Sequence, residues 1–310
     1  MQTFLISMKT PSGAVRRKRM ETRLHEAGVE GVEWVVGVNG KTLSPEEVAD
    51  AATPMCARFC TPGIVGCALS HMKCWRLVVE RGLSHALILE DDAKLEPGFR
   101  EKLEQGLAGA PKDYHVILAG CFFLCSDAVQ RVISFNRLPE VDGPDQLRRI
   151  RMFGGTHAYV ISNAGARYLL EQMPKVWFHV DLAMGLVPGL RVFRLRDLLA
   201  VQDDMQGSSI AQYGFPGTIN AMLHPLEQHN LSPLYLANVA YARIGPYAGP
   251  HVVMTPWHFM FLLTGVLGVP WRYFAAFAAV DMALFPPTDV LDTASKIAAF
   301  AVGFAARRYM

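Results

Sequence analysis

The chain has 310 residues, 51% of them hydrophobic and 19% charged, with 30 Lys+Arg against 28 Asp+Glu. That length buries a substantial core, as one large domain or two small ones, and the near-neutral balance argues against the electrostatic footprint of a nucleic-acid-binding protein. The six Cys lack the paired C-x-x-C spacing of a zinc module and the chain is too large to need a disulfide framework, so buried thiols in a reducing compartment are expected.

Thr3-Phe4-Leu5-Ile6-Ser7 reads as the first strand; it is too short for a secretory h-region and Lys9 follows it, so a cytoplasmic location is expected. Pro11-Ser12-Gly13 reads as a loop, and a helix with a basic flank is expected from Ala14 onward, carrying Arg16, Arg17, Lys18, Arg19 and Arg23. Arg beside a strand end suits a diphosphate clamp, since guanidinium forks onto phosphate oxygens, and it equally suits a solvated helix face. Glu33-Trp34-Val35-Val36 is the second strand, closed by an Asn39-Gly40 turn. Ser44-Pro45-Glu46-Glu47 opens a short helix. A longer one is expected over 64–80, with Cys67, Ser70, His71 and Cys74 on one face.

Ala86-Leu87-Ile88-Leu89 is a continuous apolar run, the pattern of a strand covered on both faces, and it delivers Glu90, Asp91 and Asp92. Ligands of open α/β sheets bind beyond such strand ends. Adjacent carboxylates repel one another, so solvent, a basic partner or a hard divalent cation must compensate. A solvated acidic loop and a cation site both remain open on this stretch alone. A helix is expected after Pro97-Gly98-Phe99 and a strand at Tyr114-His115-Val116-Ile117-Leu118, while 125–150 lacks periodicity and reads as a mobile loop beside the site. Paired Gly154-Gly155 before Thr156 and His157 permits close backbone approach to a ligand. Asp181 reads as a helix cap or a reactive carboxylate. A strand region is expected over 190–201, and Asp203 and Asp204 read as solvated loop or further metal or acceptor ligands, ahead of Ser208-Ser209-Ile210. The sequon Asn230-Leu231-Ser232 is taken as chance. The stretch 251–271 carries no Asp, Glu, Lys or Arg, yet Pro256, His258 and Pro270 interrupt it. Helices packed on the domain, or peripheral at a membrane interface, are expected there and over 297–306, ahead of a span.

Several of these positions are coupled at fixed spacing. Gly66-Cys67-Ala68-Leu69-Ser70-His71, then Trp75, then the strand and Glu90-Asp91-Asp92, closely resemble the signature of glycosyltransferase family 25, which includes bacterial lipooligosaccharide galactosyltransferases and the domain that galactosylates collagen hydroxylysine. Arg16, Arg17 and Arg19 with Met20 resemble the family's opening helix, residues 155–162 its Gly-Thr-His-x-Tyr-x-Ile-Ser block, and Val180-Asp181-Leu182 a third block. The resemblance ends near Phe215. It implies an α/β, GT-A-like (Rossmann-like) mixed sheet flanked by helices over 1–214, leaving 215–310 as an apolar, helical C-terminal extension. It implies an inverting glycosyltransferase of lipopolysaccharide or other glycan biosynthesis, moving a hexose (galactose first, glucose next) from a UDP-sugar to a glycan, lipid-linked glycan or protein hydroxyl. On that reading Asp91 and Asp92 hold manganese or magnesium (Mn²⁺ or Mg²⁺), and Arg16, Arg17, Asn39, Ser70, His71, Glu90 and Asp91 line the donor. Asp181 is the base and His157 faces the acceptor. Asn39 stands where the family commonly has Asp, which with the altered first loop leaves an alternative: a catalytically silent sugar-nucleotide-binding or scaffold protein. A nicotinamide enzyme is excluded because no Gly-x-Gly-x-x-Gly follows the first strand.

Overall fold

A computed structural model of the chain describes residues 1–122, 124–133, 147–202, 214–227 and 233–309. The chain divides into two compact units, one of residues 1–56 and 62–204 and one of 57–61 and 205–310.

From the start of the chain to residue 202 the elements are β1 (Gln2–Ser7), α1 (Pro11–Glu26), β2 (Val32–Val36), α2 (Pro45–Ala51), α3 (Pro54–Phe59), α4 (Pro62–Glu80), β3 (His85–Glu90), β4 (Ala93–Leu95), α5 (Phe99–Ala108), β5 (Val116–Leu118), α6 (Asp127–Ile133), β6 (Leu147–Ile150), β7 (Ala158–Ser162), α7 (Asn163–Gln172), α8 (Val180–Leu186), β8 (Val192–Leu195) and β9 (Ala200–Gln202). Seven strands form one sheet in the order β2-β1-β3-β7-β5-β8-β6. β1 is parallel to both β2 and β3, whereas β7 runs antiparallel to β3 and to β5. The sheet is therefore mixed and flanked by helices, the α/β architecture that the sequence implied. Because β1, β2 and β3 run the same way, Ser7, Val36 and Glu90 end on one edge, and that edge is where an α/β sheet receives ligand.

The apolar run of β3 is buried through Ala86, Leu87, Ile88 and Leu89, as its lack of alternation requires. Around it, Leu5, Met20, Phe99, Ile117, Val160 and Phe193 build one face of the core, while Trp75 and Tyr159 are also fully buried. α1 begins at Pro11 rather than Ala14: Thr10 is the N-cap, its Oγ1 accepting the Gly13 N–H at 3.1 Å. Proline needs no donor in a first turn and its fixed φ suits a helix start, so the expected breaker is an initiator. Residues 125–150 also hold more structure than their aperiodicity suggested, since α6 and β6 occupy their ends; 134–146 lie outside the described residues. The expected strand over 190–201 is two strands, β8 in the main sheet and β9 paired antiparallel with β4, matching Gln202 to Ala93.

The cysteines depart from expectation. Cys121 and Cys125 are disulfide-paired with Cα atoms 6.3 Å apart, a separation that lets the short loop between them close the bond. Cys56 and Cys60 are likewise disulfide-bonded. Cys67 and Cys74 are free thiols.

The second unit contains α9 (Gly217–Glu227), α10 (Pro233–Asn238), β10 (Ala242–Ile244), β11 (Val252–Met254), α11 (Pro256–Val266), α12 (Trp271–Leu284) and α13 (Val290–Ala306). The long apolar stretch is cut at Thr255, which caps α11 in a box with His258. No helix among the described residues is long and apolar enough to cross a membrane. Phe215, Trp257, Phe261, Ala278 and Phe300 form its apolar core. The carboxylate of Asp281 accepts the N–H groups of Gly217 and Thr218 at 2.6 Å each, capping α9 from α12. The Asn230 sequon lies outside the described residues.

In the first unit α4 approaches the turn after β2 so closely that a Cβ on Gly66 would lie 2.5 Å from the Val38 carbonyl oxygen and 2.7 Å from Gly40 N. Ala ordinarily improves a helix interior by up to about 1 kcal/mol over Gly. Here the overlap decides the sign: Gly66→Ala is expected to destabilise by about 1–3 kcal/mol, read as a lower urea midpoint at unchanged slope.

Candidate functional site

β3 carries its three carboxylates to the ligand edge, and each is compensated differently. The Glu90 N–H donates to the His157 carbonyl at 2.9 Å, tying the strand end to the segment entering β7. Its side chain accepts the Thr156 hydroxyl at 2.8 Å and lies 3.3 Å from His71 Nε2. Behind His71 the hydrogen-bond order follows from donor types. Trp75 Nε1–H can only donate, and it reaches the Tyr159 oxygen at 2.9 Å. Tyr159 is left to donate to His71 Nδ1, also at 2.9 Å, which puts the imidazole proton on Nε2, facing Glu90. Burial raises the Glu90 carboxyl, but the hydrogen bonds from His71 and Thr156 outweigh it and the net shift is downward.

Asp91 pairs with Arg16 at 3.3 Å, and the same guanidinium nitrogen is 4.0 Å from Asp92. Asp92 Oδ2 accepts Gln202 Nε2–H at 2.9 Å, a contact set by the β4–β9 pairing. Both aspartates are only 7% exposed, and Asp91 Oδ2 and Asp92 Oδ1 have no partner among the described residues. The Asp92 carboxyl is pushed up to about 7, by burial first and then by the Glu90 charge. Two buried carboxylate oxygens without donors are groups that a cation would satisfy. No cluster of three or more His, Cys, Asp or Glu side chains suited to a metal occurs among the described residues. The donor set therefore fits a hard ion held by one or two carboxylates together with substrate phosphates, as Mg²⁺ is commonly held, rather than a closed protein cage.

Asp181 lies in the first turn of α8, half-buried. Its Oδ2 accepts the Gly155 N–H at 2.8 Å and its Oδ1 the Leu182 N–H at 2.7 Å. It does not cap α8, whose N-cap is His179, and each oxygen keeps a further lone pair. Gly155 has φ +91°, a conformation L side chains avoid, and this lets the Gly154-Gly155 turn meet Asp181. His157 is 1% exposed, with Nε2 3.2 Å from the Ala200 carbonyl. That carbonyl places the ring proton on Nε2, so Nδ1 is a lone pair without a partner. Burial lowers the imidazole pKa, and the neutral ring lies beneath Phe122, centroids 6.2 Å apart.

The other sequence-selected residues act on the backbone. Arg17 donates to the Met8 carbonyl at 3.2 Å, Ser70 accepts Val38 N–H at 2.8 Å and donates to Gly66 O at 2.7 Å, and Asn39 Oδ1 accepts Lys41 N–H at 3.1 Å. They hold the loops after β1 and β2. Sequence reasoning missed Gln202, Thr156 and Tyr159 as partners of the acidic cluster. It also missed Cys67, whose thiol is pushed well up by burial, then by the charges of Glu90, Asp181 and Asp92. Asp203, Asp204 and Ser208-Ser209-Ile210 lie outside the described residues.

Fold and site together define a mixed α/β protein with an Arg-faced acidic cluster at the carboxyl edge of its parallel strands. Residues 1–184 match the model of glycosyltransferase family 25 (LPS biosynthesis protein), and the chain belongs to that family. It is 32% identical over 181 residues to a glycosyltransferase 25 family member of Drosophila melanogaster, covering 55% of this chain and 28% of that protein. It is 28% identical over 193 residues to procollagen galactosyltransferase 1-A of Xenopus laevis, covering 56% and 29%. Against the human inactive glycosyltransferase 25 family member 3 it is 30% identical over 185 residues, covering 56% and 29%. The chain thus spans under a third of the length of these curated relatives. Among solved structures, the galactosyltransferase LgtC in complex with donor and acceptor sugar analogues aligns with a TM-score of 0.36 at 11% identity, covering 62% of this chain and 73% of that one.

The Asp92 carboxyl titrates near 7 in the folded chain and near 3.8 when unfolded, so the folded state binds the extra proton and Asp92 costs stability as pH rises between those values. Without divalent cations, Asp92→Asn is expected to match the wild type near pH 4 and to exceed it by a few kcal/mol above pH 7, measured by urea unfolding across that range.

Proposed function

We propose that this chain transfers a hexose from a UDP-sugar to a hydroxyl of a glycan, a lipid-linked glycan or a protein side chain, with inversion at the anomeric carbon. Galactose is the first choice of sugar, supported by relatives named procollagen galactosyltransferases, and glucose the second. The observation that carries the reading is Arg16 set against Asp91 and Asp92, each of which keeps one buried carboxylate oxygen without a partner among the described residues.

In this reading Asp91 and Asp92 would hold Mn²⁺ or Mg²⁺, which when bound supplies Lewis-acid neutralisation of the leaving diphosphate. Arg16 forks onto diphosphate oxygens and exchanges part of its pairing with Asp91 for them. Glu90, fixed by His71 and Thr156, accepts hydrogen bonds from the donor's hydroxyls through its remaining lone pairs. Asp181 takes the proton of the acceptor hydroxyl as that oxygen forms the new glycosidic bond, while the sugar's bond to the diphosphate breaks and its electron pair leaves with UDP. His157 is a positioning residue in this scheme: its carbonyl holds Glu90, and its ring supports the glycine turn that carries Asp181's partner. Arg17, Ser70 and Asn39 set the loops against which the nucleotide lies.

A second reading, donor binding without turnover, is supported by Asn39 and by relatives whose names call them inactive. UDP released from UDP-galactose and UDP-glucose with Mn²⁺ and an array of acceptors separates the two. Transfer is expected, with kcat reduced about 10²–10⁴-fold in Asp181→Asn at little-changed donor KM and activity abolished in Asp92→Ala. Near-normal turnover by Asp92→Ala would overturn the cation assignment, and donor binding without UDP release in the presence of any acceptor would favour the silent reading.

A further inference from the structure

Helices α11, α12 and α13 reverse the usual distribution of side chains. On α11, Phe259, Met260, Leu263 and Leu267 are exposed; at 3.6 residues per turn they fall within about 100° of arc, opposite buried Trp257, Phe261 and Gly265. Exposed Val290, Leu291, Ile297 and Val302 of α13, and Trp271, Tyr273, Val280 and Leu284 of α12, extend the same character. The charges lie inside. Lys296 pairs with Asp292 at 2.5 Å with both side chains buried, and Asp281 is buried as the cap of α9. Burying an ion pair is costly, and exposing so many large apolar groups is uncommon for a surface that meets only water.

α11 and α13 also share an orientation. His258 meets Ser295 at 2.8 Å, a Cβ on Gly265 would touch the Phe300 carbonyl, one on Gly303 would touch the Leu262 carbonyl, and Gly268 adjoins Arg307. α11 and α13 therefore run parallel, and their carboxyl ends meet the start of α12. That end gathers Trp271, Arg272, Tyr273, Arg307 and Arg308, all exposed. Between Val252 and Tyr309 the exposed charges are these three arginines and Asp289. Apolar flanks, inward paired charges and an Arg-aromatic rim are the pattern of a protein surface immersed in lipid, with Trp, Tyr and Arg at headgroup depth.

We infer that the exposed faces of α11–α13 form a docking surface for an anionic lipid bilayer, lying in the interface with Phe259, Met260, Leu263 and Leu267 among the acyl chains and Arg272, Arg307 and Arg308 on the phosphates. The surface is interfacial, since no described helix can span. It stands independently of the transfer chemistry.

The test is co-sedimentation of the full chain with vesicles of phosphatidylcholine alone or mixed with phosphatidylglycerol. The wild type is expected to sediment with the anionic vesicles and at least about tenfold less with neutral ones. Arg272→Glu/Arg307→Glu/Arg308→Glu is expected to lose about tenfold or more, as is Phe259→Ser/Leu263→Ser, each with the far-UV spectrum of the wild type. The arginines are exposed, so the charge-reversed variant reports even if the apolar one fails to fold. A wild type that stays in the supernatant with both vesicles, or a charge-reversed variant that sediments like the wild type, overturns the inference. A concentration-dependent dimer without vesicle binding also overturns it, assigning the face to a second copy.

Discussion

Three consecutive carboxylates at the end of a buried strand are a constraint that the surrounding residues of the first unit are arranged to meet. The Glu90 carboxylate accepts from the Thr156 hydroxyl and meets His71, and its backbone N–H donates to the His157 carbonyl. Asp91 is compensated by a charge, Arg16. Asp92 receives one firm hydrogen bond, from Gln202, and is left with an unpartnered oxygen and a carboxyl pushed up to about 7. The compensation is thus strongest at Glu90 and weakest at Asp92, and a dissatisfied buried carboxylate is a group prepared for a ligand rather than for stability alone.

The elements around the cluster follow from this. α1 must start close behind β1 for Arg16 to arrive, and Pro11 after the Thr10 cap lets it do so. α4 must lie against the loop after β2, which Gly66 permits and Ser70 fastens. Trp75 and Tyr159 orient His71 from within the core. β9 leaves the main sheet to pair with β4, and so delivers Gln202. The second unit shows the opposite use of charge: its ion pair is buried and satisfied, and its apolar groups face outward.

Much of the fold was legible because its signals are local. The uninterrupted apolar run before Glu90, the cap at Ser44, and the helical period after Pro62 each report their own element. Pro11 misled because proline stops a helix in its interior and starts one at its first turn, and only the neighbouring Thr10 hydroxyl tells these apart. The Cys121–Cys125 disulfide escaped because four-residue spacing fits a helix face as well as a closed loop. In the site, residue types announced the carboxylates and Arg16, while their partners Gln202 and Tyr159 are distant in sequence and come from pairings of β9 and β7 that spacing does not encode. Ser70 and Asn39, expected to line the donor, also fasten the backbone around the turn after β2, a use that residue type alone does not announce.

We propose that the end of β3 is the diphosphate pole of a sugar-nucleotide site. Calorimetric titration of UDP into the full chain, with and without Mn²⁺, measures it without reliance on an acceptor. Binding is expected to weaken at least about tenfold when Mn²⁺ is withdrawn and to fall to the metal-free level in Asp92→Asn. Equal UDP affinity in the wild type and Asp92→Asn, with and without Mn²⁺, would contradict the proposal.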